Sequence, residues 1–317
     1  MSRSTGYRLL LMLAVLTMAA PMLCAQEATI FPFLRGTISA RAAGLGGATV
    51  ALTGDLSTVV LNPASLYTVE GPQMTGTFIK HVLDINSGYA TYGDKIGDVG
   101  MMAVTASYTS YGSFERTDAS GAQTGSFGAQ DVVLAATIAR ELDTLISYGF
   151  TVKFLYSGID DQASTAIALD AGLHFQIPQS RTNVGIALLN LGAQLSTYDG
   201  TSDNLPIDLR IGVNHRLKGL PLLVNASLNH LTDDVESFGE RFLNFSVGGE
   251  LYIGKVIMAR LGYDNAQRNL SGVNVATQAT GLSGGIGVNL EDVDVDYALS
   301  SLGSSALMHR ISVGLIF

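Results

Sequence analysis

Gly281-Leu282-Ser283-Gly284-Gly285 has the G-x-S-x-G spacing of a hydrolase nucleophile. That chemistry needs the serine on a sharp strand-to-helix elbow, with an aspartate and a histidine placed to activate it. Here the motif opens a run that alternates like a strand, and no helix follows. With 36 glycines in 317 residues such a match arises by chance, so no residue is assigned a catalytic role. Asp292, Asp294 and Asp296 fall on one strand face. They could hold a cation, or pair with inward arginines and lysines, the commoner state of a barrel lumen. His81, His174, His215, His230 and His309 are scattered without ligand spacing, and no metal site is assigned. Gly44-Leu45-Gly46-Gly47 lacks the third glycine and the βαβ unit of a dinucleotide loop, so no cofactor is implied. A net charge of −9 with no basic run gives nucleic-acid binding no basis.

The elements that would carry these residues follow from composition and period. The chain is 47% hydrophobic and only 14% charged, which excludes disorder. Past residue 25 it holds no apolar run of about 18 residues, so a helical membrane bundle is excluded too. Apolar residues instead recur at every second position, as strand side chains pointing to opposite faces must. Ile207, Leu209, Ile211 and Val213 oppose Asp208, Arg210, Gly212 and Asn214. Leu243, Phe245, Val247, Leu251 and Ile253 oppose Asn244, Ser246, Gly248 and Glu250. Val293, Val295, Tyr297 and Leu299 oppose the three aspartates. Leu307, Ile311, Val313, Leu315 and Phe317 oppose Arg310, Ser312 and Gly314, with His309 discordant.

Segments of this kind predict fourteen strands: 72–83, 85–96, 98–111, 130–141, 145–158, 165–177, 182–195, 207–218, 221–231, 240–254, 256–266, 281–291, 293–303 and 306–317. Short links such as Gly97, Asp143-Thr144, Gly219-Leu220 and Lys255 alternate with longer polar ones at 112–129, 196–206 and 267–280. This is the layout of an outer-membrane barrel, whose even strand number lets every backbone group pair in lipid. The expected fold is therefore all-β, a 14-stranded antiparallel transmembrane β-barrel seated in outer-membrane lipid. A soluble sandwich would need shorter strands. Met102, Val104 and Ile316 are expected to face inward, where they would suit an apolar pocket.

Residues 1–25 read as a signal peptide, with Arg3 and Arg8 before the apolar run Leu9–Ala20 and a small-residue cut after Ala25. Lipidation at Cys24 is the rival reading, but Leu23 replaces the small residue it wants. Residues 26–71, rich in glycine and alanine, read as a plug or hatch inside the barrel formed by 72–317. Asn62-Pro63 is expected to end the hatch and aim the chain at the first strand; a sealing or gating role is the alternative.

Ser39-Ala40-Arg41-Ala42-Ala43-Gly44-Leu45-Gly46-Gly47-Ala48, then Asp55, then Asn62-Pro63-Ala64, resembles the N-terminal signature of the PorV/PorQ-type family of outer-membrane proteins. Tyr111-Gly112-Ser113-Phe114 with Gly125-Ser126-Phe127 resembles its PorQ-like branch. So does Asn190-Leu191-Gly192 with Thr197-Tyr198-Asp199-Gly200-Thr201 and Leu205-Pro206. The resemblance implies a FadL-like barrel with an N-terminal hatch marked by Arg41, Gly44, Gly46, Gly47, Asp55, Asn62 and Pro63, and a terminal aromatic, Phe317, read during barrel assembly. It implies a scaffold role in type IX secretion and cargo attachment, with other secretion components as partners. The FadL-like fold carries an alternative, transport of hydrophobic small molecules, with a lipid or detergent-like ligand in the lumen.

Overall fold

A computed structural model describes residues 29–235, 237–270, 279–303 and 306–317. The proposed signal peptide and Cys24 lie outside them. Among the described residues there are fourteen strands: β1 (Gln73–Lys80), β2 (Asn86–Ile96), β3 (Gly100–Thr117), β4 (Gln123–Asp143), β5 (Ile146–Ile159), β6 (Gln162–Ile177) and β7 (Thr182–Ser196), followed by β8 (Asp208–Arg216), β9 (Leu222–Leu228), β10 (Phe245–Ile253), β11 (Ile257–Asp264), β12 (Leu282–Leu290), β13 (Val293–Ser301) and β14 (Leu307–Ile316). Each pairs antiparallel with its neighbours in sequence, and β1 pairs with β14 to close the barrel. Closure removes every sheet edge, which the bilayer interior demands.

The alternation sorts the two faces as expected. On β8, Asp208, Arg210, Gly212 and Asn214 are buried toward the lumen while Ile211 and Val213 are exposed. Phe78, Val104, Leu134, Phe150, Val152 and Ile286 belong to a continuous exposed apolar belt. The inner face carries hydroxyl pairs across strands, including Thr91 with Thr105 at 3.0 Å and Thr137 with Thr151 at 2.8 Å, a contact that favours the register. His309, the discordant residue, does lie on the outer face, where its Nδ1 is 2.8 Å from the Tyr297 hydroxyl.

Three expectations are corrected. Met102 and Val104 point outward; Met101 and Ala103 are the buried residues of that stretch. Both parities there are apolar, so alternation alone carried no sign. The stretch 112–129 is mostly strand, not loop: β3 and β4 run 18 and 21 residues, well beyond the roughly 9–11 that cross a bilayer. A bulge between Ser110 and Ser113, with Gly112 at φ 80°, absorbs the glycine, and pairing resumes with Ser113 opposite Gly128 and Phe114 opposite Phe127. Residues 238–243 form a 3-10 turn, so β10 begins at Phe245.

Candidate functional site: the lumen and its hatch

Residues 29–71 fold inside the barrel as four short helical turns, with Leu45, Val50, Leu52, Leu56, Val59 and Leu66 almost wholly buried. The sequence dictates each turn locally. Ser39 caps α1 (Ala40–Gly44) by accepting from the Ala42 amide at 3.1 Å. Asp55 caps the turn Leu56–Val60 through the Ser57 amide at 2.9 Å. Asn62 caps Pro63–Thr68, accepting from the Ala64 amide at 3.1 Å, with Pro63 at the first helical position. Asn62-Pro63 therefore opens the last helical turn of the hatch rather than ending the segment.

Asn62 does a second job. Its Nδ2 donates to the Val50 carbonyl at 2.8 Å and to Leu173 O, on β6, at 3.2 Å. It thus ties two parts of the hatch to the wall with no exposure of its own. Asn62→Ala is expected to lower stability by about 2–3 kcal/mol, since it leaves buried backbone groups unpaired. Asn62→Asp keeps the cap acceptor but turns a buried carboxylate oxygen toward the Val50 and Leu173 carbonyls, so it should destabilise at least as much; thermal unfolding of the purified barrel measures both.

Arg41 leaves α1 and meets Glu250 of β10 with a two-pronged contact, Nε to Oε2 at 2.9 Å and Nη2 to Oε1 at 2.8 Å. Its Nη1 reaches Asp55 at 3.4 Å. Glu250 also accepts from Arg260 Nε at 2.6 Å and the Tyr252 hydroxyl at 2.5 Å, and Arg260 continues to Asp296 at 2.5 Å. The chain Asp55, Arg41, Glu250, Arg260, Asp296 thus joins the hatch to β10, β11 and β13. Burial opposes the charge on Arg41, but Glu250 and then Asp55 outweigh it and raise the guanidinium above its ordinary value.

A second anchor holds the segment nearest the chain start. Arg35 pairs with Asp233 at 2.7 Å and donates to Ile207 O at 3.0 Å. Arg210 donates back to Arg35 O at 3.1 Å while it and His230 pair with the buried Asp208. A third feature lies in the wall. Asn190 takes a left-handed φ of 61° at a bulge in β7, accepts from Lys153 at 2.8 Å and donates its amide to Asp170 at 2.8 Å and its Nδ2 to Pro206 O. The Asn190-Leu191-Gly192 motif is this bulge. Asn190→Ala should cost about 2–4 kcal/mol in strain and lost bonds, and Asn190→Gly should recover the strain share; denaturant unfolding reports both.

Backbone meets backbone where the hatch touches the wall. A Cβ on Gly185 would sit 2.1 Å from Val50 O, and one on Gly262 would sit 2.1 Å from Gly46 N. A Cβ on Gly172 would sit 2.1 Å from Asn62 Oδ1, and one on Gly248 would sit 2.4 Å from Leu45 O. Gly46, at φ 66°, packs against the Tyr263 backbone, and Gly44 lies against Arg260 and Gly285. Much of the glycine excess is this seam, which lets a polypeptide plug fit inside the barrel.

The hatch separates two sets of cavities. Toward the rim of long loops lies one of about 580 Å³, bordered by Phe33, Ile79, His81, Tyr89, Tyr111 and Arg310 among others. Toward the rim of short turns lie cavities of about 260 Å³, where Arg41, Glu250, Asp294, Asp296 and Ile316 meet, and about 410 Å³, beside Arg181 and Arg216. Ser283 opens β12 inside the upper cavity with no bonded histidine or acid, so the serine motif is a strand start. Of the three aspartates, Asp296 pairs with Arg260, Asp294 accepts from Asn289, and Asp292 sits in an exposed turn. Asp233, beside the same upper cavity, is the partner of Arg35. Phe317 is exposed and donates its amide to Pro72 O at 3.1 Å at the short-turn rim.

No protein-family model and no curated protein matches the chain. Solved structures do. The toluene transporter TbuX of Ralstonia pickettii superposes with a TM-score of 0.61 at 14% identity, covering 91% of this chain and 100% of that one. The toluene transporter TodX of Pseudomonas putida gives 0.59 at 11%, over 92% and 100%. A Pseudomonas aeruginosa FadL homologue gives 0.54 at 12%, over 89% and 99%. In fold the chain is a closed fourteen-strand antiparallel barrel of the FadL type.

Proposed function

We propose that the protein is an outer-membrane channel for small hydrophobic molecules, closed by its N-terminal hatch and opened when that hatch shifts. What carries the reading is the arrangement of cavities: an upper one partly lined by Pro32, Phe33, Ile79, Ile85 and Met308, two lower ones, and packed hatch between them. The architecture shared with the toluene transporters supports it. On this reading the long-loop rim is extracellular, the short-turn rim periplasmic, and the apolar belt contacts outer-membrane lipid. A Gram-negative host lacking its own FadL-like channels should take up radiolabelled toluene faster when it expresses this chain. Uptake equal to that of the empty host would end the proposal.

The second reading is the scaffold role in type IX secretion that the PorV/PorQ resemblance implies. One observation motivates it. The β3–β4 hairpin extends far past bilayer height and carries a Phe114–Phe127 stack, centroids 5.4 Å apart, with Arg116 over the Phe127 ring. Such a projecting, partly aromatic hairpin suits contact with another protein. Affinity capture from the native membrane should recover secretion components with the full hairpin and lose them when 113–127 is shortened. Equal recovery would remove this reading.

A further inference from the structure

Among the described residues, the buried and half-buried arginines and lysines of the hatch and strands pair with acids, with one exception, while the buried Asp131 of β4 is held by the Tyr111 and Ser157 hydroxyls instead. Lys153 meets Asp170, Arg41 and Arg260 share Glu250, Arg210 meets Asp208, and Arg35 meets Asp233. Arg310 on β14 is 7% exposed, and no described carboxylate lies within ion-pair distance of it. It donates through Nε to Thr37 O at 3.2 Å and through Nη1 to Ser300 Oγ at 3.0 Å. A guanidinium has five N–H donors, so three remain beside the upper cavity that Arg310 borders. A buried arginine without an acid is costly unless something supplies the charge.

The surroundings narrow what that is. Tyr89 borders the same cavity, and His81, pushed below its usual value first by burial and then by Arg310, bonds the Ser87 hydroxyl at 2.9 Å. Ile79, opposite Arg310 in the β1–β14 register, and Pro32, Phe33, Ile85 and Met308 give the same cavity apolar wall. The acids on its border are placed elsewhere. Asp233 is held by Arg35, and Asp264 ends β11, three strands around the wall, where it accepts from the Gln267 amide. A volume of about 580 Å³ suits a compact molecule.

Resting on the channel reading, we infer that the upper cavity is a binding site for compact organic monocarboxylates, with Arg310 taking the carboxylate and the apolar wall taking the body. Arginine forks match carboxylate geometry with two parallel bonds. The site would set this chain apart from a channel for uncharged hydrocarbons alone.

The probes are benzoate and toluene, which differ by the charged group on one ring. Equilibrium dialysis of radiolabelled benzoate against the purified full-length barrel should show saturable binding, competed by other aromatic carboxylates. Arg310→Gln should weaken it at least tenfold, and Arg310→Lys, which keeps the charge and loses the fork, should fall between. Folding of each variant is checked by the heat-dependent mobility that folded barrels show in detergent gels. If Arg310→Gln does not fold, the lysine variant and the benzoate preference of the unmodified protein decide. Benzoate binding unchanged by either substitution, or absent, overturns the site. Toluene uptake by expressing cells separates the two claims. Uptake with no arginine-dependent benzoate binding leaves the channel reading and removes this one; arginine-dependent binding without uptake does the reverse.

Discussion

Glu250→Ala is expected to destabilise the protein by about 3–5 kcal/mol, because it removes the carboxylate that two buried guanidinium groups share. Glu250 has no exposure and accepts from Arg41 twice, from Arg260 and from Tyr252. Asp296 still holds Arg260 when Glu250 is gone, but Arg41 retains only Asp55, at 3.4 Å. The loss therefore falls on the link between hatch and wall more than on the wall. Two measurements register it. The unfolding transition of the purified barrel should shift down, and cells should become sensitive to large hydrophilic antibiotics as the hatch loosens. Glu250→Gln, which keeps the shape and two of the contacts at lower strength, should lie between. A stability change below about 1 kcal/mol would show that the network is not what pins the hatch, as exposed pairs seldom contribute more.

The second large effect comes from the seam. Gly185→Val and Gly262→Val each drive a side chain into hatch backbone, since even a Cβ would lie 2.1 Å from Val50 O or Gly46 N. Overpacking a tight core costs about 1–3 kcal/mol or more, and here the obstructing atoms are main chain, which yields least. The barrel wall should still close, because neither substitution touches a strand-to-strand hydrogen bond, but the hatch should seat poorly or not at all. Folded barrel yield in membranes, together with protease access to 29–71, measures this. Gly88, where an added methyl would meet nothing within 4 Å, is the control, and Gly88→Ala should be neutral.

How much of this was legible in the residues differs by level. Fourteen alternating segments map onto fourteen strands, since lipid on one side and a polar lumen on the other impose opposite demands on successive residues. Where the faces do not differ, the pattern is silent. Met101-Met102-Ala103-Val104 is apolar on both parities, so its direction needed the register with β2 and β4. The glycines at 112 and 125 read as loop, yet a bulge and a stacked phenylalanine pair carry the hairpin through them, and only Gly121 sits in its turn. The caps Ser39, Asp55 and Asn62 are local and lie within the hatch signature. Glu250, Arg210 and Arg310 were visible as inward-facing residues, but their partners are distant in the chain. Arg41 and Glu250 are 209 residues apart, and no spacing rule joins them. The same holds for Arg310, whose lack of an acid shows only once the strands are laid side by side.

A reversible staple between hatch and wall tests the channel reading most directly. Ala43 on α1 packs against Ala298 on β13, and the sequence has a single cysteine, Cys24, outside the described residues. An Ala43→Cys, Ala298→Cys double variant, with Cys24 replaced, can be oxidised to lock α1 to the wall. Toluene uptake by cells carrying the oxidised variant should fall to the level of the empty host and return on reduction, with each single-cysteine variant unaffected. Undiminished uptake through the oxidised, stapled barrel would contradict a passage that opens by moving the hatch.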